Sequence, residues 1–181
     1  VVANGVFTVE SDYAQAAHSN NYITAAARHE ISLVGKTLSM GYVASGYCEH
    51  CNQDNVSWTA WDGTSTNGHF YLNGNVETAT VVQVTAGNAL VLDLNGYKYN
   101  NTAVRAFEVK GAMAVLDSFG TGEITAKGVA NSNGGVIRVQ GGTFDLYNGN
   151  LRLSKTHNAV KAGGVLSAES GATVNLRGGV I

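Results

Sequence analysis

One four-residue run recurs four times between Val81 and Ala168 of this 181-residue chain: Val81-Val82-Gln83-Val84, Ala106-Phe107-Glu108-Val109, Val136-Ile137-Arg138-Val139 and Val165-Leu166-Ser167-Ala168. A glycine follows each copy, at Gly87, Gly111, Gly141 and Gly171, so the spacings are 24, 30 and 30 residues. After each glycine a second apolar-alternating run begins, carrying Leu90 and Leu92, Ala114 and Leu116, Phe144 and Leu146, then Val174 and Leu176. A fixed period of this length marks stacked supersecondary units, each burying its apolar face on the next. A β-sandwich gives no reason for glycines to keep phase. A leucine-rich repeat needs a Leu/Asn frame that the chain lacks.

Period-two alternation sets a side for each residue. Val82/Val84, Phe107/Val109, Ile137/Val139 and Leu166/Ala168 are expected to face inward, and Gln83, Glu108, Arg138 and Ser167 outward. Stacked turns place like positions about 4.8 Å apart. Glu108 is therefore expected to meet Arg138. The inward residues are the expected main stabiliser, at roughly 1.5–3 kcal/mol for each buried Val, Leu or Phe. Repeats of two or three short strands with glycine corners match the turn of a parallel β-helix. The expected fold class is all-β: a β-solenoid of coils over residues 76–181, a Cys/Trp-containing lead-in over 48–75, and an N-terminal cap, or the end of a preceding segment, over 1–47.

Composition narrows the function classes. There are 23 glycines and no proline, which suits many tight corners and leaves every backbone N–H able to join a ladder. Charged residues make up only 13% and the formal charge is −2, so the clustered Lys and Arg of a nucleic-acid reader are missing. No apolar run is long enough to span a membrane. The Asn/Thr/Gly-rich, weakly charged composition is associated with extracellular or cell-surface proteins. With Val1 in place of a methionine, the chain reads as a mature or excised segment.

In the N-terminal region Gly5–Val9 suggests a strand, and Ser11-Asp12 a cap for a helical turn over Ala14–Ala17. Residues 22–28 are ambiguous between strand and helix. Glu30–Val34 and Lys36–Met40 alternate around Gly35 as a strand pair. Further on, Gly63–Gly68 is a polar loop, and Phe70–Val76 reads as one strand entering the repeat.

The phrases Ala89–Gly96 and Gly134–Phe144 resemble right-handed parallel β-helix repeats of the pectate-lyase-like superfamily. More narrowly, residues 48–181, with Cys48-Glu49-His50-Cys51 ahead of Trp58-Thr59-Ala60-Trp61, resemble large repeat-bearing surface proteins of anaerobic gut-type bacteria. The resemblance implies a right-handed β-helix and a surface location. It says little about activity, because many members of the superfamily are not enzymes. In the enzymes, acidic residues on one face bind Ca²⁺ and an arginine takes the sugar proton. Asp93, Asp117 and Asp145, with Arg138 or Arg152, are the residues that could play those parts. Asp93 and Asp117 share an offset from their glycines and so could stack; Asp145 lies one position off that column. The bland alternative is local backbone hydrogen bonding by turn aspartates.

Cys48 and Cys51 have Cys-x-x-Cys spacing, with His50 between them and His69 downstream; His18 and His29 are more distant. A structural zinc site of two thiolates and imidazole is one reading; a Cys48–Cys51 disulfide in an oxidising compartment and two free thiols in an anaerobe are the others. Thioredoxin-like redox chemistry is disfavoured without a βαβ context. Trp58, Trp61, Tyr97 and Tyr99, with Asp93 and Asp117, are candidate glycan contacts; the alternative for the tryptophans is a plug on the end of the core. His157 reads as a solvated turn residue. The expected role is a structural and adhesive segment that binds glycans or host surface proteins. A carbohydrate-active lyase or hydrolase and an end-to-end self-stacking fibre subunit are the alternatives, and structural Zn or Ca is the only expected cofactor.

Overall fold

The computed structural model describes residues 6–8, 26–34, 37–128, 133–154 and 164–181, with 6–8, 33, 34 and 38 described in backbone only. The described residues form strands and no helix. The anticipated helical turn at 14–17 and the solvated His157 lie outside the described residues, as does His18. At the N-terminal side, β1 (Val6–Thr8), β2 (His29–Val34) and β3 (Thr37–Tyr42) make an antiparallel sheet in the order β1-β3-β2. The expected pair of strands around Gly35 is thus β2 and β3. A hairpin of β4 (Ser45–Cys48) and β5 (Gln53–Ser57) follows.

From here every sheet is parallel. β6 (Thr59–Ala60) and β7 (Gly68–Tyr71) open a sheet that continues with β10 (Ala89–Asp93), β13 (Ala112–Leu116), β16 (Thr143–Leu146) and β19 (Thr173–Leu176). A second sheet stacks β8 (Val76–Thr78), β11 (Lys98–Asn101), β14 (Glu123–Ala126) and β17 (Asn150–Leu153). The third stacks β9 (Val82–Val84), β12 (Phe107–Val109), β15 (Ile137–Val139) and β18 (Leu166–Ala168). The chain visits the three sheets in rotation, so each circuit adds one strand to each ladder. Phe70–Val76 is not one strand but β7, a corner and β8, because the chain must leave one sheet for the next there.

The repeated run stacks in the expected register, Val82 on Phe107 on Ile137 on Leu166. Val82, Val84, Phe107, Val109, Ile137 and Val139 are buried in one cluster with Leu90, Leu92, Tyr99, Ile124 and Leu151. In the last copy Leu166 is only half-buried and Ala168 exposed, since no described strand lies beyond β18. Glu108 does pair with Arg138 across the ladder, and their charged atoms lie 3.8 Å apart. Arg138 also binds Glu169 at 2.6 Å, while Gln83 donates to Glu108 at 2.9 Å, so the outward column is a chain of polar contacts.

The second run departs from expectation at one circuit. Leu90 stacks on Met113 and Leu92 on Val115, which makes Met113 and Val115 the inward pair rather than Ala114 and Leu116. Ala114 and Leu116 point outward, yet they too are buried, in a second cluster with Val91, Cys48 and Trp58. The β4–β5 hairpin supplies Cys48 and packs on that outer face. A strand covered on both sides reads as apolar at every position, and Ala112–Leu116 does.

Close approach of successive circuits explains some of the glycines. A Cβ on Gly111 would lie 2.3 Å from the carbonyl oxygens of both Thr85 and Asn88, and one on Gly142 would lie 2.3 Å from Gly111 O. Here glycine is required by space, not by backbone dihedral.

Candidate metal centre

The hairpin turn at residues 49–52 is tight, and Asn52 sits at φ 53°, a left-handed conformation that asparagine tolerates better than most residues. Cys48 closes β4 and Cys51 lies in the turn, so the loop brings both sulfurs to one side. Opposite them His69 occupies an outward position of β7, in the same column as Val91. Cys51 Sγ lies 3.0 Å from His69 Nε2, and one ligand atom each from Cys48, Cys51 and His69 fall within 4.8 Å of one another. Both cysteines are free thiols. Cys48 is fully buried, whereas Cys51 and His69 are half-buried. Among the described residues this is the only such convergence of three His, Cys, Asp or Glu side chains.

Electrostatics follow from that packing. Burial, reinforced by the neighbouring Cys48, pushes the Cys51 thiol up to about 11. Burial also lowers the His69 pKa, with His50 adding to the effect, which favours the neutral imidazole that metals bind. The ring of His69 stands edge-on to Trp58, with centroids 5.2 Å apart. His50, named with these residues from sequence, turns elsewhere: its Nδ1 is 4.0 Å from Asp145 Oδ2 and its ring packs against Tyr147. Two sulfurs and one imidazole make a soft donor set suited to zinc.

The acidic residues do not form a column. Asp93 pairs with Tyr71 and Leu116, and Asp145 with Ala114 and Asn175, so the shared offset of Asp93 and Asp117 does not stack them. Asp93 is fully buried and accepts from Arg28 Nε at 2.6 Å, Tyr42 Oη at 2.9 Å, Asn95 N at 2.8 Å, and both N (2.9 Å) and Oγ of Ser118. Burial alone would raise its pKa, but Arg28 and Ser118 outweigh that and hold it below the usual carboxylate range. Arg28 also reaches Glu49 at 2.5 Å and Ser118 Oγ at 2.9 Å, and lies over the Trp58 ring. Asp117 is buried, and its carboxylate accepts from Gly122 N at 2.5 Å within its own turn and from Gly96 N at 2.7 Å on the preceding circuit, so it is bonded to backbone both locally and across the stack. Burial raises its pKa.

The aromatic candidates are placed inside. Trp61 and Tyr99 are buried beside Phe107, with Trp61 stacked on the Phe107 ring, and Trp58 is buried under the hairpin. Tyr97 is half-buried and packs against the same core. A sugar platform needs an exposed ring face, and Trp58, Trp61 and Tyr99 offer none. Sequence reasoning missed Arg28 altogether. Its partners lie 21, 65 and 90 residues away, so no local pattern marks it.

Compared with known proteins, the chain matches no family model, no curated protein and no solved structure.

Proposed function

We propose that the chain is a segment of an extracellular or cell-surface right-handed parallel β-helix, and that it acts as a structural and adhesive scaffold rather than as an enzyme. The observation that carries this reading is the make-up of the outward columns. Gln83, Glu108, Arg138 and Ser167 form one, and Glu77, Asn100, Thr125 and Arg152 another, with no reactive set repeated from circuit to circuit. Within the second column Asn100 donates to Glu77 at 3.4 Å and Thr125 to Asn100 at 2.7 Å. Gln83, Glu108, Arg138, Glu77, Asn100 and Arg152 offer hydrogen-bonding groups at a regular rise, which suits glycans or the surface of another protein, whereas Thr125 and Ser167 are buried, Ser167 contrary to its expected outward exposure. The lyase alternative draws no support from Asp93 and Asp117, because Asp93 is saturated by internal donors and Asp117 is buried and bonded to backbone amides. A glycan array paired with a lyase assay on uronate polymers in Ca²⁺ tests the reading. Binding without turnover is expected, and turnover would refute the scaffold.

One observation favours self-stacking as a second reading. Leu176, Val180 and Ile181 are 58%, 61% and 49% exposed at the open end of the ladders. A further circuit, from the same chain or another copy, would cover them. Concentration-dependent sedimentation of this segment, abolished by Leu176→Lys, is the expected result if a second copy does so.

A further inference from the structure

We infer that Cys48, Cys51 and His69 bind one zinc ion, with water at the fourth tetrahedral vertex, and that the ion clamps the β4–β5 hairpin onto the parallel sheet. The argument rests on convergence. Two donors come from the hairpin and one from β7, elements separated by β6 and a loop and joined by no backbone hydrogen bond between β4 or β5 and β7. Zinc–sulfur bonds of about 2.3 Å and zinc–nitrogen bonds of about 2.0 Å set tetrahedral ligand atoms roughly 3.4–3.8 Å apart. The three donor atoms already lie within 4.8 Å of one another, so only side-chain adjustment is needed.

The surroundings select the ligands. His50 is adjacent to Cys51 in sequence, but its ring is engaged by Tyr147 and lies near Asp145. His69 is held edge-on by Trp58, and an oriented ring is what a metal-binding imidazole requires. The fourth vertex opens on the side where Cys51 and His69 are partly exposed. A disulfide would use both sulfurs and leave His69 with no role. Zinc uses all three groups and, by joining hairpin to sheet, fixes the cover over Val91, Ala114 and Leu116.

The test uses the full chain, purified with a reductant, loaded with zinc and dialysed against metal-free buffer. One zinc per chain is expected, with neither thiol reactive until a chelator is added. In a parallel sample held at free zinc a hundredfold above Kd, chelation lowers Tm by roughly 5–10 °C. Cobalt in place of zinc gives thiolate-to-metal charge transfer and the intense visible bands of a tetrahedral site. Cys51→Ser and His69→Gln each weaken zinc binding by at least about tenfold, and His50→Ala leaves it unchanged. Cobalt in the unaltered chain reads the site even if a variant misfolds. Reactive thiols with less than a tenth of a zinc per chain, an octahedral cobalt spectrum, a disulfide in the purified protein that resists reduction, or a His50→Ala loss equal to that of His69→Gln would each overturn the assignment.

Discussion

Asp93→Asn is the most informative single change, because it keeps the shape of the side chain and removes its charge. In the native fold the carboxylate is fully buried and accepts five hydrogen bonds from Arg28, Tyr42, Asn95 and Ser118. The asparagine loses the ionic partner of a guanidinium whose side chain is only 3% exposed, and it turns an NH₂ toward donors. Removing one member of a buried ion pair costs about 3–5 kcal/mol, and Glu49, still 2.5 Å from Arg28, holds the loss toward the low end of that range. For a domain of this size that is a Tm drop of roughly 6–20 °C, measured by circular dichroism. Arg28→Met alone costs a similar amount. The double variant, with neither charge buried, recovers much of the loss, so the cycle shows strong coupling. The pH dependence has a defined sign. Asp93 has a depressed folded pKa, so its contribution is complete above the unfolded value of about 3.9 and is lost as pH falls through the lower folded value. Asp93→Asn flattens that acid limb. A loss under about 1 kcal/mol, or additive single effects, would refute the idea that this pair binds the N-terminal strands to the stack.

Two further changes test the stacking itself. Gly111→Ala is expected to destabilise the chain by at least about 2 kcal/mol in urea titration, because its Cβ would meet two carbonyl oxygens at 2.3 Å, while Gly41→Ala, with nothing within 4 Å, is near neutral. Phe107→Ala removes a fully buried ring shared with Trp61 and Tyr99, and is expected to cost about 3–5 kcal/mol by the same titration.

The inward columns were legible because Val, Leu, Ile and Phe alternate with polar residues wherever one face meets solvent. Glu108 and Arg138 could be paired from sequence for that reason. Alternation failed at Ala112–Leu116, where the hairpin buries the outer face as well. Glycine spacing failed there too: Leu90 stacks on Met113, 23 residues on, while Gly87 and Gly111 are 24 apart. A slip of one residue exchanges the faces of a strand, so Ala114/Leu116 displaced Met113/Val115 and Asp93 and Asp117 were aligned where they do not stack. At the metal centre, Cys-x-x-Cys spacing located the sulfurs. Choosing His69 over His50 depended on how the hairpin folds back on β7, which spacing does not encode. Arg28 left no trace because the charge it neutralises is brought to it only by the tertiary fold.

The hairpin over Val91, Ala114 and Leu116 also gives the stack a direction in time. In a structure where each circuit touches only its neighbours, local opening starts wherever a neighbour is missing. β10 and β13 are sealed on both faces, so their amides should exchange with solvent only when the whole domain opens. The strands β18 and β19 have half-covered side chains and one open edge, so they should fray first. Unfolding of this 181-residue segment would then run as an unzipping from its last circuit toward β10 and β13, which would be the last strands to let go.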